Sequence, residues 1–565
     1  MMTAQSIAVL LVVTTSLLGR WAVVSAFASL SSPPSPSSRW CEEGPRQGRK
    51  SRRGVDALSE SSSSSSSSFS ASEDVQLLPT AVLSPTDLKE KKAYDPADVF
   101  HQEEDIIIND QGGVLAFPPD MMTKMDIDDT LLDIVQDLDG NPLSTEYFSK
   151  AMGVKHAEGF VCLEKDAFRG FMSNGCRIRL YPGGESAFYK RIVFDDLEHA
   201  KEKLAKSPFK LVRDAKSYHV VASFLTSRSC QQLMDATQNN VCIPKCYDAE
   251  LRPDDTDPMK SKFSFLLEDF SPSAGWYQRW LLEDREECKA ALSAYAQMHG
   301  FFWTGSNFWR KANAEAADEL EKGVWKSGSY VQPKAQDEGQ CSQVTSEWAK
   351  KRLKFEKQLS SFDFWDNLGE RLESVSKECG RKAHPFADDE LSNSFEKYRT
   401  FTHGDPKAAN LFFRDSRTVE SQSKVQVGLI DFQWSGFGLA ASDIAHFMTS
   451  AVHADELVNG GEEELLKFYY EQLTQSLIRF GVFGSKKEME QEFSFDLFME
   501  QYNEAFLDIC RLVIAYTWSR FEEPVEGHDH AACARTMNKT SYNKSIPNVV
   551  WLMSRCDEIL KANGV

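Results

Sequence analysis

Three oxygen-bearing side chains, Asp405, Asn410 and Asp431, lie within one short stretch of the chain. Asp405 comes just before the apolar run Leu411–Phe413, and Asp431 lies near the end of a second apolar run, Val425–Phe432. Two short apolar runs joined by a polar turn predict a β-hairpin. We therefore expect the two carboxylates to lie at the base of this hairpin, on the same side of a small sheet, with the amide beside them.

This set of oxygen atoms suits phosphoryl transfer. One carboxylate must orient an acceptor hydroxyl and take its proton, whereas a second carboxylate and an amide oxygen must hold Mg²⁺ against the phosphates of ATP. Asp405 fits the first role, and Asn410 and Asp431 fit the second. The sequence therefore predicts an ATP- and Mg²⁺-dependent phosphotransferase with Asp405 as its base.

The spacing of these residues resembles the motifs of a known superfamily. The triplet HGD ends in Asp405, Asn410 follows five residues later, and the triplet IDF surrounds Asp431. This pattern is similar to that of the aminoglycoside phosphotransferase and choline-kinase-like superfamily, and most similar to its ecdysteroid kinase-like branch. The resemblance implies a protein-kinase-like α+β fold with two lobes, a small β-rich lobe and a mainly helical large lobe. A turn without chemistry is the alternative for the HGD triplet taken alone.

The resemblance implies roles for further side chains. Lys407, two residues after Asp405, would neutralise charge on the transferring phosphoryl group, and a solvated lysine is the alternative. Asp443 would cap a helix or brace the loop that carries Asp405. His299 lies in the sequence MHGFFW, which is similar to a helix of the family, and we expect it to be a buried, hydrogen-bonded core histidine rather than a ligand.

A glycine-bearing turn and a lysine predict where ATP phosphates would bind. The turn that contains Gly170 and Gly175 lies between two stretches that read as strands, so its backbone N–H groups could surround phosphates. A plain hairpin turn is the alternative. The resemblance assigns Lys190, on the following strand, to the α- and β-phosphates, and a surface lysine is the alternative there.

The resemblance also places the adenine at the linker between the lobes. Residues 262–270 read as an apolar strand that ends in acids, and main-chain groups of Glu268, Asp269 and Phe270 would contact the base. The family pairs its phosphate-binding lysine with a glutamate of the next helix, but residues 212–225 contain no glutamate. Asp214, or else Glu198 or Glu202 on the preceding amphipathic run, would have to substitute.

Composition limits the possible partners. The chain has 565 residues, 41% of them hydrophobic, and a net charge of −20, which argues against a nucleic-acid-binding surface. A small-molecule alcohol, cationic or not, fits this charge as the acceptor. The 12 cysteines are scattered, and the pair Cys242 and Cys246 has no second pair to complete a zinc site.

The chain divides by composition into five segments. Residues 1–26 read as a signal peptide, residues 27–72 as a Ser- and Arg-rich transit-like and low-complexity segment, and residues 73–149 as an acidic extension. Residues 150–270 would form the small lobe and residues 271–565 the large lobe. A signal peptide followed by a basic Ser-rich segment resembles the bipartite presequence of algae with secondary plastids, and an ordinary secretory signal is the alternative. We expect no stable membrane span in the mature chain.

Two other functions remain open at this point. A pseudokinase that binds nucleotide or a partner without turnover would explain the missing helix glutamate. A protein kinase is disfavoured because Asp443 follows Asp431 so closely that little room is left for an activation loop. Within the acidic extension, the apolar runs Ile106–Ile108 and Leu131–Val135 could dock on a folded domain, so we expect the extension to pack on the kinase-like lobes.

Overall fold

The computed structural model describes residues 107–108, 134–169, 172–238, 240–279, 281–336, 338–415, 425–520 and 545–565. All of them belong to the compact unit Asp95–Val565. The predicted signal peptide, the transit-like segment, most of the acidic extension and Gly170 lie outside the described residues.

Within the described residues, the small lobe is built on a six-stranded sheet in the order β1-β2-β3-β4-β7-β6, and all neighbouring strands are antiparallel. The strands are β1 (Ile107–Ile108), β2 (Gly159–Arg169), β3 (Asn174–Tyr181), β4 (Ser186–Val193), β6 (Cys246–Arg252) and β7 (Lys262–Glu268). Strands β3 and β4 pair along their length as an antiparallel hairpin. Ile107 and Ile108 pair with β2 at the edge of the sheet, so the predicted docking of this run is confirmed.

Part of the acidic extension packs on the small lobe, as expected. Helix α1 (Thr145–Met152) starts at Ser144, whose hydroxyl accepts a hydrogen bond from the N–H of Tyr147. Ile134, Val135 and Phe148 are buried against the sheet together with strand residues of β2, β3 and β4. These residues of the acidic extension are therefore part of the small lobe core, because the sheet would otherwise expose an apolar face.

Helix α3 (Pro208–Leu225) follows the shorter helix α2 (Glu198–Lys206) and packs in two cores. Tyr218 and Val221 are buried with the small-lobe strands β4 and β7. Val220 and Phe224 are buried in the core of the large lobe, where the Phe224 ring lies 4.6 Å from Phe401 and 4.5 Å from Phe432, measured between ring centroids. The helix therefore belongs to both lobes.

The large lobe is mainly helical. Its helices are α4 (Arg228–Thr237), α5 (Arg285–Phe302), α6 (Ala314–Gly323), α7 (Val344–Lys351), α8 (Glu356–Leu359), α9 (Leu368–Ala383), α10 (Ser392–Phe395), α11 (Ala440–Ser450), α12 (Gly461–Arg479), α13 (Lys486–Glu492), α14 (Phe495–Ala515) and α15 (Ile546–Ala562). Helix α5 packs against α12, and α9 and α11 pack against α14. Asp284 begins α5 by accepting hydrogen bonds from the N–H groups of Glu286 and Glu287.

Two small sheets lie on these helices and carry the candidate site. Strands β10 (Leu411–Asp415) and β11 (Val425–Leu429) form the predicted hairpin, paired from Leu411 opposite Leu429. Their neighbours are β5 (Val241–Cys242) and β8 (Trp276–Tyr277), which flank the hairpin on its two sides. Strands β9 (Arg399–Thr402) and β12 (Gly436–Leu439) form a separate antiparallel pair.

This architecture confirms the expected α+β fold with a β-rich small lobe and a mainly helical large lobe. Among the described residues, none of the helices combines the length and the apolarity that crossing a bilayer requires.

Candidate active site

The loop between β9 and β10, residues 403–410, carries the HGD triplet and is called the HGD loop below. Gly404 has φ of 80°, in the left-handed region, and a Cβ atom at this position would overlap the carbonyl oxygen of Trp434. Glycine is therefore required for both its backbone conformation and the close approach of Trp434. This conformation turns the chain so that Asp405 follows directly in a buried position.

Asp443, on the first turn of α11, braces the HGD loop from behind. Its carboxylate accepts hydrogen bonds from the N–H groups of His403, at 2.6 Å, and Gly404, at 2.9 Å. His299 lies 3.2 Å from the same carboxylate through Nε2 and 2.7 Å from the Tyr469 hydroxyl through Nδ1. Burial raises the pKa of Asp443, but the bond with His299 and the loop N–H groups outweigh it and lower the pKa overall. The expected brace and the expected core histidine are both confirmed.

Asp405 is held by polar groups on both of its carboxylate oxygens. Lys407 Nζ lies 2.6 Å from Oδ2, and His446 Nε2 lies 3.6 Å from Oδ1. Asn410 donates from its side-chain nitrogen to the Asp405 carbonyl oxygen at 2.8 Å and to Oδ2 at 3.4 Å. Burial raises the pKa of Asp405, but Lys407 and His446 lower it by more, so its pKa lies below the ordinary value. The carboxylate is therefore ionised and fixed in orientation.

The pKa of Lys407 moves in the opposite direction. Burial lowers it, but Asp405 and Asp431 raise it by more, so the pKa of Lys407 lies above the ordinary value. The pKa of His446 falls to about 4 because burial outweighs the attraction of Asp405 and Asp443. The site therefore combines an ionised carboxylate, a charged lysine and a neutral histidine at neutral pH.

Asp431 follows β11 and also has a left-handed backbone, with φ of 65°. Its Oδ2 accepts a hydrogen bond from Gln433 at 3.2 Å, and its Oδ1 lies 3.6 Å from Lys190 Nζ. Within the described part of the chain, Oδ1 is buried without a hydrogen-bond partner. A buried carboxylate oxygen in this state is suited to a cation that would complete its coordination.

Asn410 supplies the second oxygen that a hard cation would need. Both of its side-chain hydrogen bonds to Asp405 come from the nitrogen, which turns its amide oxygen away from Asp405. One carboxylate and one amide oxygen match the donor preference of Mg²⁺, which takes few protein ligands and keeps water or phosphate oxygens in its other positions. No cluster of three His, Cys, Asp or Glu side chains suited to a metal occurs among the described residues.

Lys190 lies in the middle of the small-lobe sheet, on β4 between β3 and β7. It forms an ion pair with Asp431, across the cleft between the lobes. The sequence-based candidates for this ion pair were wrong, because each of them pairs elsewhere. Asp214 binds Lys203 and Arg213, while Glu198 pairs with Lys201 and Glu202 with Lys206.

Of the other predicted nucleotide contacts, Gly175 lies opposite Lys190, whereas Glu268 lies three residues further along, opposite Ala187. Gly175 is within strand β3 rather than in the turn, and a Cβ atom there would meet the Phe188 ring. Asp269 forms a 2.5 Å ion pair with Arg177, and the Phe270 ring packs 4.5 Å from Trp276 between centroids. The Glu268 carboxylate accepts from the N–H of Lys245 at 3.1 Å. The side chains of the 268–270 segment thus pack on neighbouring elements, and nucleotide contacts through their main chain stay a prediction.

Sequence reasoning missed two residues that contact the predicted site. His446 follows Asp443 by three residues on α11, and this spacing, which places both on one helix face, was a signal that could have identified it. Tyr218 on α3 places its ring 5.7 Å from Lys190 Nζ, measured to the centroid. Nothing local in the sequence marks Tyr218, because the contact depends on how α3 lies against the sheet.

Comparisons with known proteins agree with the sequence motifs. Residues 218–482 match the sequence profile of the Ecdysteroid kinase-like family. No curated protein sequence matches the chain. The matched segment begins at the residue of α3 that contacts Lys190 and includes Asp405, Lys407, Asn410, Asp431 and Asp443.

Several solved structures are similar at a distance. One is a thermostable mutant of aminoglycoside phosphotransferase APH(4)-Ia in complex with ADP and hygromycin B, at 10% identity and a TM-score of 0.28, covering 74% of this chain and 98% of that chain. Another is an ethanolamine kinase of Plasmodium vivax, at 10% identity and a TM-score of 0.31. That match covers 70% of this chain and 83% of that chain. A third is the amicoumacin kinase hAmiN with AMP-PNP and Ca²⁺, at 9% identity and a TM-score of 0.30. That match covers 72% of this chain and 96% of that chain. At these scores the likenesses assign no function.

The profile match and the geometry concern the same part of the molecule. The HGD loop, the hairpin of β10 and β11, and the brace from α11 all lie inside the matched segment. Residues 218–482 therefore carry the resemblance to the ecdysteroid kinase-like family that the motifs predicted.

Proposed function

We propose that the protein transfers the γ-phosphoryl group of ATP to a hydroxyl of a small molecule, with Asp405 as the base. One observation carries this proposal. Asp405, Lys407 and Asn410 are gathered on the HGD loop, and Asp431 is within 3.6 Å of Lys190 of the other lobe. The profile match to a family named for kinase-like proteins supports the same reaction.

Asp405 would receive the acceptor proton at Oδ1. Lys407 and Asn410 already engage Oδ2, whereas Oδ1 faces His446 at a longer distance of 3.6 Å. The acceptor oxygen forms a bond to the γ-phosphorus as its proton passes to Oδ1, and the bond from that phosphorus to the β,γ-bridging oxygen breaks to release ADP. The low pKa of Asp405 keeps this base ionised before the reaction.

Lys407 and Lys190 would carry positive charge toward the phosphates. Lys407 is held beside the base, where charge on the transferring group would be stabilised, and its raised pKa keeps it protonated. Lys190 is held less closely and would bind the other phosphates. Asp431 and Asn410 would hold a divalent cation such as Mg²⁺, which neutralises phosphate charge when it is bound.

A pseudokinase is the second candidate function. The observation that favours it is the missing helix glutamate, since no carboxylate of α2 or α3 approaches Lys190 among the described residues. Such a protein would bind MgATP without transferring its phosphoryl group.

The test is phosphoryl transfer by the full chain. The protein is incubated with Mg²⁺, γ-labelled ATP and a fractionated small-molecule extract, beside Asp405→Asn and a control, Asp455→Asn, that changes an exposed carboxylate of the same lobe. We expect label in a metabolite with the unaltered and control proteins only. Binding of MgATP without transfer to any fraction would favour the pseudokinase, and absence of binding would contradict both.

The location of the protein in the cell is proposed on sequence alone. Residues 1–72, with a signal-like segment before a basic Ser-rich segment, would direct it to a plastid. A fluorescent protein fused behind these residues, expressed in an alga with a secondary plastid, should label the plastid. Label in the medium or endomembranes would support the secretory alternative instead.

A further inference from the structure

Lys190 faces helix α3, whose carboxylate, Asp214, pairs with Lys203 and Arg213 instead. Its contact with Asp431 is long, at 3.6 Å, and the two side chains are 19% and 22% exposed. An ion pair of this length and exposure fixes a lysine only weakly. Another group must therefore determine where the ammonium group lies when no ligand is bound.

Tyr218 is the side chain of α3 that meets Lys190. Its ring presents a face to Lys190 Nζ at 5.7 Å from the centroid, within the range of a cation–π interaction. A ring face attracts an ammonium group without accepting a hydrogen bond from it. The three N–H donors of Lys190 thus remain available for Asp431 and for phosphate oxygens.

The Tyr218 ring is itself held from three directions. It is 3% exposed, and its centroid lies 5.2 Å from that of Phe263 and 6.3 Å from that of Phe194. Its hydroxyl donates a 2.8 Å hydrogen bond to the carbonyl oxygen of Met172, just before β3. The ring therefore has one fixed orientation and ties helix α3 to the strand that pairs with the strand of Lys190.

We propose that Tyr218 is the positioning residue of Lys190 in this chain, and that its ring does what the missing helix carboxylate would have done. The inference rests on the proposed function, because Lys190 matters only if the cleft binds MgATP. The ring holds Nζ over the cleft, and packing against Phe263 and Phe194 keeps the ring in place.

The experiment measures MgATP affinity of the full chain by calorimetry. Tyr218→Met removes the ring face while keeping an apolar side chain, and we expect the Kd to rise about 2- to 10-fold, the size of a cation–π contact. Tyr218→Phe keeps the ring face and should stay within about 2-fold of the unaltered protein. Tyr218→Leu is a second non-aromatic variant should Tyr218→Met fail to fold, as judged by circular dichroism.

The matched control is Tyr189, the neighbour of Lys190 on β4. It is also a buried tyrosine with a bonded hydroxyl, donating to the carbonyl oxygen of Gln136 at 2.7 Å, but it packs in the separate core with Phe148. Tyr189→Met should lower stability without changing the Kd for MgATP. An equal loss of affinity in this control would overturn the inference, because it would assign the effect to general loosening of the small lobe.

A double-mutant cycle separates positioning from packing. Lys190→Met alone should raise the Kd for MgATP about tenfold or more, since an interaction between a charged group and phosphate is lost. Adding Tyr218→Met to the Lys190→Met variant should raise the Kd no further, because the ammonium group that the ring positions is already absent. An unchanged Kd in Tyr218→Met, or an additive loss in the double variant, would contradict the inference alone. If the unaltered chain fails to bind MgATP, the proposed function and this inference fall together.

Discussion

The two sides of the cleft hold their charged groups in different ways. On the large-lobe side, Asp443 accepts hydrogen bonds at 2.6 and 2.9 Å from the HGD loop, Lys407 lies 2.6 Å from Asp405, and both of these carboxylates are buried. On the small-lobe side, Lys190 has a partly exposed carboxylate at 3.6 Å and a ring face at 5.7 Å. The comparison indicates that the proposed base, Asp405, is held by short hydrogen bonds and a short ion pair, whereas Lys190 is held by a longer ion pair and by the Tyr218 ring.

This difference follows from what each group must do. A base has to present one oxygen to one hydroxyl, so a fixed orientation reduces the entropy lost on reaching the transition state. A lysine that binds phosphates can be positioned with a wider tolerance, because its ammonium group is a point charge with rotatable donors. Each of the following predictions tests one side of the comparison.

The largest effect should come from the base. Asp405→Asn keeps the size of the side chain but removes the negative charge that accepts the proton. The rate of phosphoryl transfer should fall about 10²- to 10⁴-fold, the usual size of a general-base contribution. The affinity for MgATP should change far less, because Lys190 and Asp431 remain. A variant that loses MgATP binding but transfers phosphate at the normal rate once saturated would contradict the assignment.

The next largest effect should come from removing the Asp443 brace, and it should appear as a lower free energy of unfolding. Asp443→Ala leaves the buried N–H groups of His403 and Gly404 without their acceptor. Each such group costs about 1–3 kcal/mol, so the free energy of unfolding should fall by at least about 2 kcal/mol, and the rate should fall with it. Urea unfolding measures this, with Asp455→Ala as the exposed control. A stable but inactive Asp443→Ala would show that the brace acts on chemistry alone.

His446 should make the large-lobe side sensitive to acid. Its pKa is about 4 in the folded protein, below the ordinary value of 6.5, so only the unfolded chain takes up this proton between those values. The contribution of His446 to the free energy of unfolding is therefore complete above pH 6.5. It is lost as the pH falls toward 4, a decrease of about 3 kcal/mol in all. His446→Gln should lack this part of the slope in urea unfolding measured at several pH values. Parallel curves for the two proteins would show that His446 titrates normally.

The smallest effect on stability should come from the small-lobe side. Lys190→Met removes only a long and partly exposed ion pair, so the free energy of unfolding should change by no more than about 1 kcal/mol. The same variant should lose MgATP affinity, as measured in the double-mutant cycle. A large loss of stability would mean that Lys190 is as firmly built into the fold as Asp405, and the contrast between the two sides would disappear.

Local spacing predicted most of the large-lobe side. The hairpin and the positions of Asp405, Asn410 and Asp431 at its base follow from residues near one another in the chain, where turn and strand signals fix geometry. The brace by Asp443 was implied by the family resemblance instead. The general two-lobed α+β fold followed from the order of the motifs. The run that contains Ile134 and Val135 was expected to dock on a domain, but only the sheet shows which residues it covers.

The small-lobe contacts could not be read from the sequence. The Tyr218 ring meets Lys190 because α3 lies across the sheet at one particular rotation, and no helix periodicity specifies that rotation. The carboxylates nearest in sequence, such as Asp214, were equally plausible until their own partners Lys203 and Arg213 were known. Which acid pairs with which base depends on tertiary packing rather than on propensity.

The sharing of helix α3 between two cores bears on how the lobes can move. If the small lobe rotated away and carried α3 along, the Phe224 ring would lose its contacts with Phe401 and Phe432. Arg213 would lose its contacts with the Trp434 ring, 4.9 Å away, and with the Ala335 carbonyl oxygen. If α3 stayed behind, Tyr218 would leave Phe263 and Lys190. Either path exposes buried aromatic surface to water. Helix α3 thus joins the two lobes a second time, beside the 268–270 linker. Wide opening of the cleft would cost more free energy than if this linker were the only connection.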